Sequence, residues 1–261
     1  MNWIQAAADC DQHNLPFVLI TVMQTQGSTP RDCDAKMLIT RADNFDSIGG
    51  GQLEFAAIET AHRLLRENKA CTLTETYNLA QDLEQCCGGK VSLLLECFPA
   101  RNFNIVVIGA GHVGRAVVQL LGELPCQVRW IDSREGYFPE KLPGNIQAGK
   151  LGTAEQAIED CPAQSWYLVM SHSHVLDQQI VEAILSRADA QYCGLIGSKS
   201  KAAAFRGRLK RKGFSDAELA MLTSPIGLPG LKGKQPMEIA ISVVAQLLQL
   251  RQQAEPKENI A

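Results

Sequence analysis

"NIVVIGAGHVGRAVVQLLGELPCQVRWID", residues 104–132, runs an apolar stretch into a glycine turn, a helix-compatible segment and a second apolar stretch. That order is a βαβ unit, and it decides the fold class. Gly109, Gly111 and Gly114 form a GxGxxG that follows a strand and opens a helix, the context that lifts this pattern above chance. The first glycine permits the tight turn, the second lets backbone approach a phosphate, and the third lets helix and strand pack closely. Asp132 stands 23 residues after Gly109, at the end of the next strand, where a carboxylate accepts hydrogen bonds from ribose hydroxyls. The same glycines also serve packing alone or hold another phosphate ester, so a dinucleotide such as NAD(P) is one reading among three.

Working outward, "WYLVM" (166–170) and "YCGLIG" (192–197) suit buried parallel strands, and "LDQQIVEAILSRA" (176–188) between them has helical spacing. Pro236 is placed as the first residue of a helix of about five turns. Upstream, "FVLITVMQT" (17–25) and "VSLLLECF" (91–98) read as strands and "QLEFAAIETAHRLLREN" (52–68) as an amphipathic helix. The seam is "CFPARNFN" (97–104), where a proline and polar residues precede the first strand of the βαβ unit. The expected fold class is α/β: an N-terminal α+β domain over 1–100, then a Rossmann-like domain with a mainly parallel sheet over 101–261.

Composition narrows the function classes. Hydrophobic residues at 46% and charged residues at 20% describe a globular chain, neither disordered nor fibrous. A formal charge of −3 gives no electrostatic reason to expect nucleic acid or an anionic membrane as partner. Apolar runs fall short of the roughly 20 residues that span a bilayer. "MNWIQAAADCDQ" has no basic region before an apolar core, so a secretory signal is not read there and the expected location is the cytoplasm. Nine scattered cysteines with no CxxC argue against a disulfide framework or a zinc ribbon.

Four further stretches carry candidate chemistry. "SHSHVLDQ" (171–178) puts His172, His174 and Asp177 just past a strand, at the sheet edge where α/β ligands bind. The histidines suit metal binding or proton transfer, or are simply solvated, and Asp177 either orients a ring or caps the next helix. "GLIGSKSK" (194–201) places Ser198 at a helix N-cap with Lys199 and Lys201 in the first turn, an anion site or a solvated basic face. "GSTPR" (27–31) and "GGGQLE" (49–54) are glycine turns where backbone approaches something closely. In "QCCGGK" (85–90), Cys86 and Cys87 are either small buried hydrophobes or thiolates facing a soft metal or a sulfur atom in transfer.

Taken in order, "TVMQTQGSTPRDCDAKMLI", "SIGGGQLE", "CCGG", "IVVIGAGHVGRAV", "SHSHVLD", "YCGLIGSKSK" and "SPIGLPGLKGKQPMEIAISVVAQLL" resemble the xanthine dehydrogenase accessory protein family, XdhC and its CoxI-like relatives, from about residue 17 to 250. The resemblance implies a chaperone without turnover of its own rather than a metabolic enzyme. Such a protein binds the molybdenum cofactor (molybdopterin) and protects it. It supports exchange of an oxo for a sulfido ligand together with an L-cysteine desulfurase. It then passes the cofactor to the molybdenum-binding subunit of apo xanthine dehydrogenase.

On this reading Cys86 and Cys87 are soft ligands of the molybdenum or sulfur-handling groups, with Gly88 and Gly89 letting backbone come near. Gly109, Gly111, His112 and Gly114, with Asp132, His172, His174, Ser198 and Lys199, make up the rest of the cofactor-binding set. A second copy of the chain, as a homodimer, is a further partner to consider. One departure is Asp34, where many relatives carry glycine; Asp tolerates the left-handed backbone the turn requires. Two alternatives stand beside this reading: an NAD(P)-dependent oxidoreductase with His172 or His174 as proton donor, and a nucleotide-binding docking module.

Overall fold

The computed structural model describes residues 1–83, 88–134, 136–231 and 233–254. Contacts divide the chain into two units, Met1–Ala100 and Arg101–Ala261.

In the first unit, Asn2 starts α1 (Trp3–His13) by accepting from the Gln5 N–H while the Gln5 side chain accepts from the Asn2 N–H, a reciprocal cap. Then follow β1 (Phe17–Gln26), β2 (Lys36–Ile39), β3 (Asn44–Asp46), α2 (Gly51–Glu67), β4 (Cys71–Asn78), α3 (Leu79–Asp82) and β5 (Lys90–Phe98). The strands form an antiparallel sheet in the order β3-β2-β1-β5-β4. Along β5, Val91, Leu93, Leu95 and Cys97 are buried while their neighbours are not, the alternation of a sheet with one well-covered face. Leu53, Ala57, Ala61 and Leu64 of α2 share that core. Ala6 and Cys10 of α1 pack with Phe17 and Leu38 in a separate cluster.

The second unit runs β6 (Asn104–Ile108), α4 (His112–Leu121), β7 (Gln127–Asp132), β8 (Ile146–Lys150), α5 (Ala154–Glu159), β9 (Trp166–Val169), α6 (His174–Arg187), β10 (Tyr192–Leu195), α7 (Lys199–Arg211), α8 (Asp216–Ala220), β11 (Leu222–Thr223) and α9 (Pro236–Ala254). All its strand pairings are parallel, in the order β11-β10-β9-β6-β7-β8. Counted from β6 as the first strand this is 6-5-4-1-2-3, the Rossmann arrangement read from its far edge. Alternate residues of β6 feed two cores. Ile105 and Val107 pack with α4 and α9, and Val106 and Ile108 with α5, α6 and α7. The α/β class expected from the sequence is the class observed, with the antiparallel sheet in the first unit and the parallel one in the second. Among the described residues no helix is long and apolar enough to cross a membrane.

The α4–β7 connection depends on one amide. Asn145 Nδ2 donates to the carbonyls of Leu121, Leu124 and Cys126 at 3.0, 3.2 and 3.1 Å, gathering acceptors that the end of α4 leaves over. An Asn145→Asp carboxylate would face three carbonyl oxygens instead. We expect it to cost more than Asn145→Ala, which should lose about 1–3 kcal/mol, both read from urea unfolding followed by tryptophan fluorescence.

Candidate functional site

In an open parallel sheet the crevice lies where the strand order reverses, here between β6 and β9. Two loops border it, Gly109–Gly111 after β6 and Met170–Ser173 after β9. They are in contact, because a Cβ built on Gly109 would strike the Met170 carbonyl oxygen. A Cβ on Gly114 would strike the Gly109 carbonyl oxygen, so that glycine serves the packing of α4 on β6. Gly111 is different: among the described residues nothing lies within 4 Å of a Cβ placed there. The open face of the turn is at Gly111, where α4 starts without a side-chain cap among the described residues. Uncapped N–H groups at a helix start suit a phosphate.

Asp132 ends β7 and its side chain is 2% exposed. Its carboxylate accepts from the Ala110 N–H at 2.6 Å, from the Arg134 N–H at 2.9 Å, and from Arg134 Nε and Nη2 at 3.0 and 2.9 Å. Burial alone would raise this carboxyl. The bonds from Arg134 and Ala110, with the guanidinium charge, outweigh burial and hold it at about 2. The acid expected to receive ribose hydroxyls therefore holds an arginine of its own chain. Arg134 lies 3.7 Å from the Tyr137 ring centroid, and Arg115 Nη2 donates to the Tyr137 carbonyl at 2.6 Å. Below the turn, Trp130 Nε1 donates to the Gly109 carbonyl at 3.0 Å. The edge of the crevice thus carries the Arg134 guanidinium, paired with Asp132, and that of Arg115, which holds the Tyr137 carbonyl.

On the other side, His172 is exposed and His174 begins α6, 74% exposed, with Nδ1 3.9 Å from Asp177 Oδ2. Ser173 caps α6, accepting from the Leu176 N–H at 3.4 Å. Asp177 is fully buried; it lies within ion-pair reach of His174, but its hydrogen bonds go elsewhere and the cap of α6 is Ser173. Its carboxylate accepts from the Ser171 N–H at 3.1 Å, from Ser171 Oγ at 2.7 Å and from Lys201 Nζ at 2.8 Å. Lys201 Nζ also donates to the Ile196 carbonyl at 3.1 Å, so its charge is spent inside the protein. Ser198 caps α7 by accepting from the Lys201 N–H at 3.2 Å, and Lys199 remains exposed beside it. Of the anticipated anion site, Lys199 is exposed, the Ser198 hydroxyl is engaged with the Lys201 N–H and the Ser200 hydroxyl, and the Lys201 ammonium is turned inward.

In the first unit, three glycine elements meet. A Cβ on Gly89 would crowd the Ser28 carbonyl and lie 2.7 Å from the Gln26 carbonyl, and one on Gly49 would lie 2.5 Å from Pro30 Cβ. The backbone that approaches Gly89 is therefore the chain's own "GSTPR" turn. Glu54 Oε2 gathers the Ser47 hydroxyl at 2.5 Å with the Ile48 and Gly50 N–H groups at 3.1 and 3.0 Å, which shapes the 47–50 loop. Asp34 adopts φ +71° and donates its N–H to the Val22 carbonyl at 2.9 Å, so the turn survives without glycine. Gly88 is exposed, with open space among the described residues where its Cβ would be. Cys86 and Cys87 lie outside the described residues. Among the described residues no three His, Cys, Asp or Glu side chains group as a metal site.

Sequence reasoning missed Arg115, Arg134, Tyr137 and Ser171. Only Arg134 left a signal, a cation two residues after the acid at the strand end.

Strand order, the glycine turn and a helix start without a side-chain cap define the second unit as a Rossmann domain. Residues 105–247 match the XdhC Rossmann domain and residues 10–78 match the XdhC and CoxI family. The chain belongs to the XdhC and CoxI family. The uncharacterized protein YqeB of Escherichia coli K12 is 32% identical over 97% of this chain. The chain spans about half the length of that curated relative, 47%. A solved structure described as a xanthine dehydrogenase from Bacillus halodurans is similar in fold, with a TM-score of 0.51 and 20% identity over 100% of this chain and 98% of that one.

Two predictions follow from the geometry. Gly114→Ala should destabilise the protein by about 2–4 kcal/mol, whereas Gly111→Ala should leave the urea midpoint within about 0.5 kcal/mol of wild type. Because the folded Asp132 carboxyl titrates below the unfolded one, the stability it contributes is present above about pH 4 and disappears as pH falls to about 2. That contribution is about 2 kcal/mol, so the stability gap between wild type and Asp132→Asn should narrow across this window in urea unfolding at stepped pH.

Proposed function

We propose that this chain is a molybdenum cofactor chaperone: it binds and protects the cofactor, supports its sulfuration with an L-cysteine desulfurase, and inserts it into the molybdenum-binding subunit of apo xanthine dehydrogenase. Family membership supports the accessory role. The observation that carries the choice of ligand is the filled carboxylate of Asp132. An NAD-dependent oxidoreductase of this fold uses an acid free to accept ribose hydroxyls, and here all the strong acceptor directions of Asp132 are taken by Arg134 and Ala110.

The residues fit the phosphate end of a pterin cofactor. Gly109 turns the chain, its own N–H donating to the Ile131 carbonyl, and the start of α4 at Gly111, His112 and Gly114 directs helix N-terminal N–H groups outward without a side-chain cap. Ser198 and Lys199 at the start of α7, and His172 and His174 after β9, are the further polar groups of that unit. In the first unit, Cys86 and Cys87 are assigned as the soft thiol donors. When bound, the cofactor supplies the metal whose terminal oxo ligand is exchanged for sulfur; the chain's part is to hold phosphate and to present thiols.

Anoxic incubation with released molybdenum cofactor, then gel filtration, tests the reading through bound molybdenum and pterin. Wild type should retain both near stoichiometry, Cys86→Ala/Cys87→Ala should lose most of the molybdenum, and Gly111→Ala should weaken pterin retention at least tenfold. Titration with NADH and NADPH to millimolar concentration should show no binding. No retained molybdenum, with a nicotinamide nucleotide co-eluting, would replace this reading with the oxidoreductase one.

A further inference from the structure

Strands β4 and β5 pair antiparallel with Cys71 directly opposite Cys97. Residues facing each other in such a ladder have Cα atoms about 4.5–5.5 Å apart, inside the roughly 4.4–6.8 Å that a disulfide spans. Both side chains lie on the face that carries Leu73, Tyr77, Leu93 and Leu95, because each position differs from those by an even number along its strand. Their exposures differ. Cys71 is at the start of the edge strand and exposed, while Cys97 is 5% exposed and belongs to the core under α2. An accessible free thiol directly across the ladder from a sheltered one supplies the two parts of an exchange site, a nucleophile and a resolving group.

We propose that Cys71 and Cys97 form a thiol–disulfide exchange site that closes to a cross-strand disulfide by reaction with small-molecule disulfides. The Cys71 thiolate attacks one sulfur of the small disulfide, forming a mixed disulfide and releasing one thiolate. The Cys97 thiolate then attacks the Cys71 sulfur, forming the intrachain bond and releasing the second. The protein dithiol is oxidised by two electrons, the small disulfide is reduced to two thiols, and the two protein protons go to the two leaving groups. The order of attack follows from surroundings. Burial first, then the charge and hydrogen bond of Cys71 and the charge of Glu67, push the Cys97 thiol up to about 11. Cys97 is therefore the poorer first nucleophile at neutral pH, and its part is to resolve the mixed disulfide on Cys71. This site is separate from the assignments made to Cys86 and Cys87.

The test treats the full chain anoxically with bis(2-hydroxyethyl) disulfide at pH 8, quenches with an alkylating agent and maps peptides without reduction. Cleavage after Glu75 separates Cys71 from Cys86 and Cys87. Wild type should yield peptides joined through Cys71 and Cys97, exceeding the Cys71 mixed disulfide at least tenfold. Cys97→Ala should accumulate the hydroxyethyl adduct on Cys71, and Cys71→Ser should leave Cys97 unmodified, with circular dichroism reporting that each variant is folded. The proposal is overturned if wild type stops at the Cys71 adduct with no Cys71–Cys97 bond. It is equally overturned if Cys97 in folded Cys71→Ser reacts as fast as Cys71 does in wild type. Should Cys97→Ala fail to fold, the ratio of linked peptide to adduct in wild type decides alone.

Discussion

The Rossmann crevice is organised around the Asp132 carboxylate. It takes an N–H from Ala110 in the glycine turn, and so fixes how that turn leaves β6. It takes three N–H groups of Arg134, and so fixes how the chain leaves β7. Two adjacent strand ends are thereby locked to one another by a buried charge that is neutralised on the spot. Arg134 in turn lies over Tyr137, whose carbonyl holds Arg115. The crevice edge, where an NAD enzyme would carry an acid open to the ribose, carries a closed Asp132–Arg134 pair instead.

The parallel sheet was legible because its central strands are apolar throughout. "IVVI", "WYLV" and "YCGL" are buried on both faces, and no soluble alternative accommodates such runs as well. Its margins were not legible. β8 buries only the first of its five residues, and β11 has two residues, so neither carries a pattern to read. In the first unit β1, β5 and α2 announced themselves by period. β4, "CTLTETYN", is an edge strand with no fully buried residue, and β2 is four residues long.

The site was legible as far as local chemistry goes. A glycine turn after a strand reports its own geometry, and an N-cap serine reports its helix. What residues do across the fold is another matter. Lys201 reads as the last of the "SKSK" cations, yet it meets a carboxylate 24 positions earlier. Asp177 reads as a helix-start residue, yet it serves Ser171 and Lys201. Gly89 reads as room for a ligand, and that room is filled by the turn at Gln26–Thr29. In each case the partner is fixed by topology, which no spacing within one segment encodes.

The Asp177–Lys201 pair joins the starts of two neighbouring helices, α6 and α7, and through Ser171 it reaches the loop after β9. Breaking such a pair by withdrawing one partner costs about 3–5 kcal/mol, because the abandoned carboxylate stays out of water. A molecule arriving at Ser198 and Lys199 therefore cannot draw Lys201 outward by itself. The turn after β10 and the histidine-bearing loop after β9 are thus tied together through the one buried carboxylate of Asp177.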